Sequence, residues 1–358
     1  MSRPTSHPSH VRRDPATGVA ASHHADGDRL AVVTGSEGFI GRHLVRRLSA
    51  EGWRVRAVDL AAPERAAPDS AAPSAEVIDH HRADVRDEEV MERVLAGADT
   101  VFHLASAHLE HGAPEEWYHS VNVDGARSVV RVAARASVRR LVHTSSVGIY
   151  GHVQDPPADE DAPKAPSNPY ERTKLLGEDA VLDTAKESGL EVLVLRPGWV
   201  YGPGCRRTEK LLRAVGRRRF AFVGDGSNLR HPVHISDMLD AFLLAADAPP
   251  DAVGGTYLVV GPRAVSLREL VRACARVQGV AEPKLRLPRP LVSAGLGGVE
   301  FAFRLVGRTP PVSRRSLAFF EHDNAFTGRA AAEALGFEPR VGLEEGLRAT
   351  LDAPEVAA

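Results

Sequence analysis

The chain has 358 residues, 43% hydrophobic, with a formal net charge of −2 and two cysteines. That length implies one large α/β unit with a smaller lobe attached. The near-zero charge excludes a global pull toward nucleic acid or an anionic membrane. Cys205 and Cys274 are too few for a disulfide framework or a metal site of their own, and fit a reducing cytosol.

The first 28 residues are rich in Ser, His, Pro, Arg and Asp and poor in large apolar side chains. They cannot offset the entropy of ordering, so a disordered tail is expected. They also lack the apolar core of a signal peptide. Order begins at Arg29. Leu30 to Val33 is a continuous apolar run, as in a strand covered on both faces. A glycine-rich turn follows, then a helical pattern from Phe39 to Leu48, then a strand from Arg54 to Val58. Further strands are predicted at Val77-Ile78, Thr100 to Leu104, Arg140 to Thr144 and Glu191 to Leu195. Helices are predicted at Asp87 to Leu95, Glu115 to Arg135 and Asn168 to Ser188. This alternation predicts a Rossmann-type, doubly wound parallel sheet with helices on both faces.

Beyond Tyr201 the rhythm breaks. Helices are expected at Glu209 to Val215, Asp237 to Ala246 and Ser266 to Gln278, where Ser266 and Glu269 form a capping-box pattern. Others follow at Pro288 to Val306, Arg314 to Phe320, Gly328 to Leu335 and Leu343 to Leu351, with a late strand at Tyr257 to Val260. The expected division is a dinucleotide-binding domain over 29–200, rejoined by a segment near 233–263, and a mixed substrate lobe over 201–355. The apolar stretch Leu291 to Val306 is short for a membrane span and is broken by Glu300 and Arg304, so it reads as lobe packing or a lid.

Two regions carry chemistry. In Thr34-Gly35-Ser36-Glu37-Gly38-Phe39-Ile40-Gly41, between strand and helix, Gly35 permits a tight turn and Gly38 lets amides approach a pyrophosphate at the helix N-terminus. Gly41 permits close packing. Asp59, ending the next strand, has the spacing of the acid that bonds ribose hydroxyls, which favours NAD over NADP. Arg42 and Arg56 stand near enough to receive a phosphate instead. The second region is Asn168-Pro169-Tyr170-Glu171-Arg172-Thr173-Lys174. It starts a helix, with Tyr170 and Lys174 four apart on one face. An ammonium beside a phenol is expected to lower its pKa and fit it for proton exchange with a substrate oxygen. Upstream, Ser145-Ser146 lies at a strand's carboxyl end, where open α/β sheets bind ligands.

Together these motifs resemble the extended short-chain dehydrogenase/reductases, the group of nucleotide-sugar epimerases and dehydratases and 3β-hydroxysteroid dehydrogenase-like enzymes. Further matches are Asp84-Val85, His103-Leu104-Ala105-Ser106, Asn122-Val123-Asp124-Gly125, Ser146 through Tyr150-Gly151, Leu195-Arg196-Pro197-Gly198 and Tyr201-Gly202-Pro203-Gly204. The resemblance implies catalysis by Ser146, Tyr170 and Lys174. It implies NAD contacts from Gly35, Gly38, Phe39, Ile40, Gly41, Asp59, Asp84, Val85, Leu104, Ala105, Pro197 and Gly198, with Tyr170 and Lys174, and with Asn122 behind the site. Ser106, Ser146, Trp199 and Arg230 would face substrate. It also implies a cytoplasmic homodimer built on Glu115 to Arg135 and Asn168 to Ser188, with no stable membrane insertion.

Within the family, Ser146-Val147-Gly148 lacks the two acids of the sugar-nucleotide dehydratases. Trp199 stands where sugar-nucleotide enzymes usually have Asn, and suits a hydrophobic ligand. Against this, Gly224 to Arg230 resembles the sugar-nucleotide pattern, in which Arg230 would grip a diphosphate. A structural salt bridge from Arg230 to Asp237 is the competing reading. The expected activity is NAD-dependent interconversion of a secondary alcohol and a ketone on a hydrophobic or secondary-metabolite substrate. The alternative is an NDP-sugar 4-epimerase.

Overall fold

The computed structural model describes residues 29–62, 78–108, 113–305 and 317–353. The tail over 1–28 and Val77 lie outside them. The N-terminal half runs β1 (Leu30–Thr34), α1 (Phe39–Ala50), β2 (Arg54–Asp59), β3 (Ile78–Arg82), α2 (Glu88–Leu95), β4 (Thr100–His103), α3 (Glu115–His119), a π-helical segment (Ser120–Gly125), α4 (Ala126–Arg135), β5 (Arg140–Thr144), α5 (Pro169–Ser188) and β6 (Glu191–Pro197). The rest runs β7 (Trp199–Tyr201), α6 (Arg206–Gly216), β8 (Phe222–Val223), β9 (Leu229–Arg230), β10 (Pro232–His234), α7 (Ile235–Ala246), β11 (Thr256–Val259), β12 (Val265–Ser266), α8 (Leu267–Val277), β13 (Arg286–Leu287), α9 (Arg289–Leu305), α10 (Ala318–Glu321), α11 (Arg329–Leu335) and α12 (Leu343–Leu351).

Seven strands form one parallel sheet in the order β11-β6-β5-β4-β1-β2-β3. The order reverses between β1 and β4, and the loops at the strands' carboxyl ends open a crevice there. Side chains alternate between two cores. Ala31 and Val33 of β1 and Leu193 and Leu195 of β6 join Leu44, Leu48, Met238 and Phe242 from α1 and α7. Leu30, Val32, Val192 and Val194 face Met91, Val94, Val129 and Val181 from α2, α4 and α5. Both faces are therefore covered, which is why β1 reads as an unbroken apolar run. A third core gathers Leu212 and Val215 of α6, Leu270 and Val271 of α8, Leu347 of α12, Tyr201 and Phe222.

Some elements depart from the sequence expectation. The strand expected at Val77-Ile78 runs on to Arg82 as Ile-Asp-His-His-Arg. It is the outermost strand, and an edge needs no apolar run. The helix expected over Glu115 to Arg135 is interrupted by the π-helical turn that carries Asn122. The helix expected from Glu209 begins three residues earlier, at Arg206. The ladders β7–β10, β8–β13 and β9–β12, of two or three residues each, were not legible. Of the helix expected over Arg314 to Phe320, 314–316 lie outside the described residues. Among the described residues, no helix is long and apolar enough to cross a membrane, and Leu291 of α9 is 66% exposed.

Candidate active site

The turn after β1 is shaped by what its glycines avoid. Gly35 has φ +72°, and a Cβ there would stand 2.8 Å from the Ala105 amide and 2.9 Å from the Leu104 carbonyl carbon. A Cβ on Gly41 would fall 2.1 Å from the Gly35 carbonyl oxygen, and one on Gly38 3.1 Å from it. The close packing that Gly41 permits is thus against the turn itself. Gly38 caps α1 without a side chain, and the first turn holds no acid. The first-turn amides, including those of Phe39 and Ile40, have no partner within the helix and form an anion cradle. The Thr34 hydroxyl accepts from the Ala105 amide at 3.2 Å and contacts His103 Nδ1 at 2.8 Å, tying the β1 and β4 loops together.

Around that cradle, Asp59 accepts from the Glu37 amide at 2.9 Å and the Ala61 amide at 3.0 Å. Arg56 donates to the carbonyls of Val94 and Ala96 at the end of α2, both at 2.7 Å, so its charge is spent away from the Asp59 carboxylate. Asp84 forms a bidentate pair with Arg86, which holds its carboxyl below the usual range, and Val85 is buried. Asn122 is buried with its amide fully used. Its oxygen accepts from Ser106 Oγ (3.0 Å) and the Ala107 amide (2.7 Å), while its nitrogen donates to Ala107 O (3.2 Å) and Thr173 Oγ1 (3.0 Å). It braces the loop after β4 against α5. Pro197 ends β6, and a Cβ on Gly198 would stand 2.4 Å from the His231 carbonyl oxygen.

At the end of β5 the three expected catalytic residues meet. Asn168 caps α5 by accepting from the Glu171 amide at 3.0 Å, and Pro169 opens the helix. This fixes where Tyr170 and Lys174 emerge. The Ser146 hydroxyl accepts from the Gly148 amide at 3.0 Å and hydrogen-bonds the Tyr170 phenol. Lys174 is buried and donates to the Thr144 carbonyl at 2.5 Å. Burial pushes Tyr170 up to about 12, with Glu171 adding to the rise and only the Ser146 bond opposing it. The expectation of a phenol made acidic by its lysine is corrected here: the ammonium is aimed at Thr144, and desolvation wins.

Burial also lowers Lys174 to about 8, with the Glu178 carboxylate opposing the fall. Behind it, His103 and His143 lie 5.3 Å apart, centroid to centroid, and burial and the Lys174 charge keep both neutral. A lysine lowered from 10.5 to about 8 makes a definite prediction. Between those values the unfolded chain keeps the proton and the folded chain does not, so stability rises with pH across that window. Below about pH 8 the cost of the buried ammonium is complete, on the order of 3 kcal/mol. Lys174→Met is expected to melt above the wild type at pH 7, with the gap closing as pH rises toward 10.5. A gap that is constant with pH rules out this account of Lys174.

Trp199 of β7, Arg207 of α6 and Phe319 of α10 pack on one another. The Arg207 guanidinium lies 4.7 Å from the Trp199 ring and 5.4 Å from Phe319. His108 meets Tyr170 edge to face at 4.9 Å. Arg207 and His108 carry exposed surface, yet burial depresses the pKa of each. Arg230 is buried and donates to the carbonyls of Leu229, His322 and Phe319 and to Asn324 Oδ1. Asp237 instead accepts from the amides of Arg340 and Val341.

Sequence reasoning missed His108, Arg207 and Phe319. His108 follows the His-Leu-Ala-Ser motif by two residues, and Arg207 follows the Tyr-Gly-Pro-Gly loop by three, so proximity to motifs was the available signal.

This geometry agrees with comparisons to known proteins. Residues 31–261 match the model of the NAD dependent epimerase/dehydratase family. The chain belongs to that family. A 3beta-hydroxysteroid-dehydrogenase/decarboxylase of Arabidopsis thaliana is 28% identical, covering 91% of this chain and 80% of the relative. The decarboxylating sterol-4-alpha-carboxylate 3-dehydrogenase of Saccharomyces cerevisiae is 29% identical, covering 89% and 96%. Among solved structures, MoeE5 in complex with UDP-glucuronic acid and NAD is 30% identical, with a TM-score of 0.68, covering 91% of this chain and 98% of that one.

Proposed function

We propose that the chain is an NAD-dependent oxidoreductase interconverting a secondary alcohol and a ketone on a hydrophobic substrate. The observation that carries this is the placement of Ser146, Tyr170 and Lys174 together at the carboxyl end of β5; the packed rings of Trp199 and Phe319 supply an apolar surface. The glycine cradle and the uncapped start of α1 fit a dinucleotide pyrophosphate. NAD, when bound, supplies hydride transfer at its nicotinamide ring. In this reading Ser146 orients the substrate oxygen, Tyr170 moves its proton and Lys174 holds the ribose. Asp59, with Arg56 spent elsewhere, disfavours a 2′-phosphate and so favours NAD over NADP. Residues 29–200 hold the dinucleotide and 201–355 the substrate. A homodimer through α4 and α5 completes the proposal; Leu176 on α5 is 47% exposed.

The relatives named for hydroxysteroid and sterol substrates support the apolar reading. MoeE5, solved with a UDP-sugar, favours the second reading, an NDP-sugar 4-epimerase. Absorbance at the nicotinamide wavelength separates the two. A dehydrogenase reduces NAD, and NADP more slowly, in step with the alcohol consumed. Turnover of a UDP-sugar without net NADH overturns the proposal.

A further inference from the structure

The C-terminal half carries a patch of unmatched positive charge. β8 pairs in parallel with β13, so the run Arg217-Arg218-Arg219 that leads into one strand lies beside the residues that lead into the other. The Phe222 amide donates to the Leu285 carbonyl at 2.9 Å. Arg217, Arg218, Arg219, Lys284, Arg286 and Arg289 are all exposed. Among the described residues, no carboxylate pairs with any of them. The acids nearest in sequence are taken elsewhere: Asp225 accepts from the Ser227 hydroxyl at 2.7 Å, and Glu282 pairs with Arg272 at 3.0 Å. Like charges gathered in this way repel one another unless an anionic surface faces them.

The same patch exposes apolar side chains that a solvated basic face would not carry. Among the described residues four large apolar side chains are exposed, and two of them stand here, Leu285 at 60% and Leu291 at 66%. α9 then turns outward the face that a surface helix keeps polar. Its exposed positions Leu291, Ala294, Gly295 and Gly298 follow the i, i+3, i+4, i+7 spacing of one face and include no polar side chain, while Val292, Leu296 and Val299 are half-buried. A Cβ on Gly295 or Gly298 would meet no packed neighbour within 4 Å. Rings run inward from this patch. Phe220, next to Arg219, lies 6.3 Å from Phe320, which lies 5.2 Å from Phe319, which lies 6.0 Å from Trp199.

We propose that this face docks, reversibly and without spanning, on an anionic phospholipid bilayer. Cations set around exposed leucines at the head of an apolar helix face are the pattern of interfacial binding. The charges draw the face to lipid headgroups, and the leucines enter the boundary with the acyl chains. The net charge of −2 does not oppose this. Screening limits electrostatic attraction to about 10 Å, within which the patch outweighs the rest of the surface. A nucleic acid would engage the cations through its phosphates but leave the leucines and the outer face of α9 in water. A bilayer takes up both.

The test is flotation of the full chain with vesicles of phosphatidylcholine alone and of phosphatidylcholine and phosphatidylglycerol in equal parts. Binding is expected to the second kind only, and to weaken as salt is raised. Lys284→Gln with Arg286→Gln should weaken it about thirtyfold. Leu285→Ser with Leu291→Ser should weaken it at least about tenfold on the same vesicles. Leu60→Ser, at an exposed leucine after β2, should leave it unchanged. Failure to float with the anionic vesicles overturns the inference, and so does equal flotation with both kinds. Binding that survives either pair of substitutions, or that Leu60→Ser weakens equally, overturns it too. Binding to a single-stranded RNA in place of the vesicles assigns the cations to nucleic acid and overturns it. A dimer in sedimentation velocity that Leu285→Ser with Leu291→Ser makes monomeric, without vesicle binding, gives the face to a second copy of the chain and overturns it as well. None of these measurements needs turnover, so each result leaves the oxidoreductase reading intact.

Discussion

Tyr170→Phe is expected to lower kcat by about 10²–10⁴-fold, the range for removing a positioned proton donor or acceptor. The ring should stay in place, because Asn168 and Pro169 fix the helix start independently of the hydroxyl. Only the oxygen bonded to Ser146 is lost. NAD affinity should change by no more than a few-fold, since the cradle at Gly35, Gly38 and Gly41 belongs to a different loop. With its pKa pushed up to about 12 by burial, the phenol is an acid at neutral pH. Ketone reduction should therefore be favoured at neutral pH, and alcohol oxidation should quicken as pH rises. Steady-state nicotinamide absorbance with a separate NAD titration measures both quantities. A variant keeping a third or more of its activity removes Tyr170 from the mechanism.

The second large effect is on stability. Arg196 and Glu178 are both buried and make a bidentate pair, with Arg196 Nε donating at 3.0 Å; the same guanidinium donates to Tyr150 Oη and the Glu160 carbonyl. Glu178→Ala strands a buried cation and should cost about 3–5 kcal/mol. The paired replacement Glu178→Leu with Arg196→Met removes both charges and should recover most of that loss, because desolvation offsets much of the attraction in such pairs. Tyr150 keeps its own bond to the Glu160 carbonyl at 3.1 Å in either variant. Denaturant midpoints decide the matter. A double variant as unstable as Glu178→Ala shows that the cost lies in packing rather than in the unpaired charge.

Glu178 also ties the two effects together. It sits one turn beyond Lys174 on α5 and its charge holds the lysine pKa up. The salt bridge under the site thus sets part of the site's proton chemistry. Their pairing was not legible in the sequence, because a Glu and an Arg 18 positions apart carry no local signature.

What was legible in the sequence was whatever a short window of chain decides. The apolar run of β1, the cap at Asn168, the matched limits of β5 and α12 and the turn glycines all act through neighbours a few residues away. Periodicity and backbone sterics fix these without tertiary help. The parallel sheet with helices on both faces followed from the alternation of strands and helices.

The tertiary structure alone decided the rest. Arg230 reaches the carbonyl of Phe319, 89 residues away, instead of Asp237. Arg56 turns to the end of α2, and Arg207 lies against the rings of Trp199 and Phe319. The direction of the Tyr170 pKa also depended on it. A charge four residues off predicts a fall, but how much water the fold excludes from the phenol decides the sign, and exclusion is a property of every element packed around it.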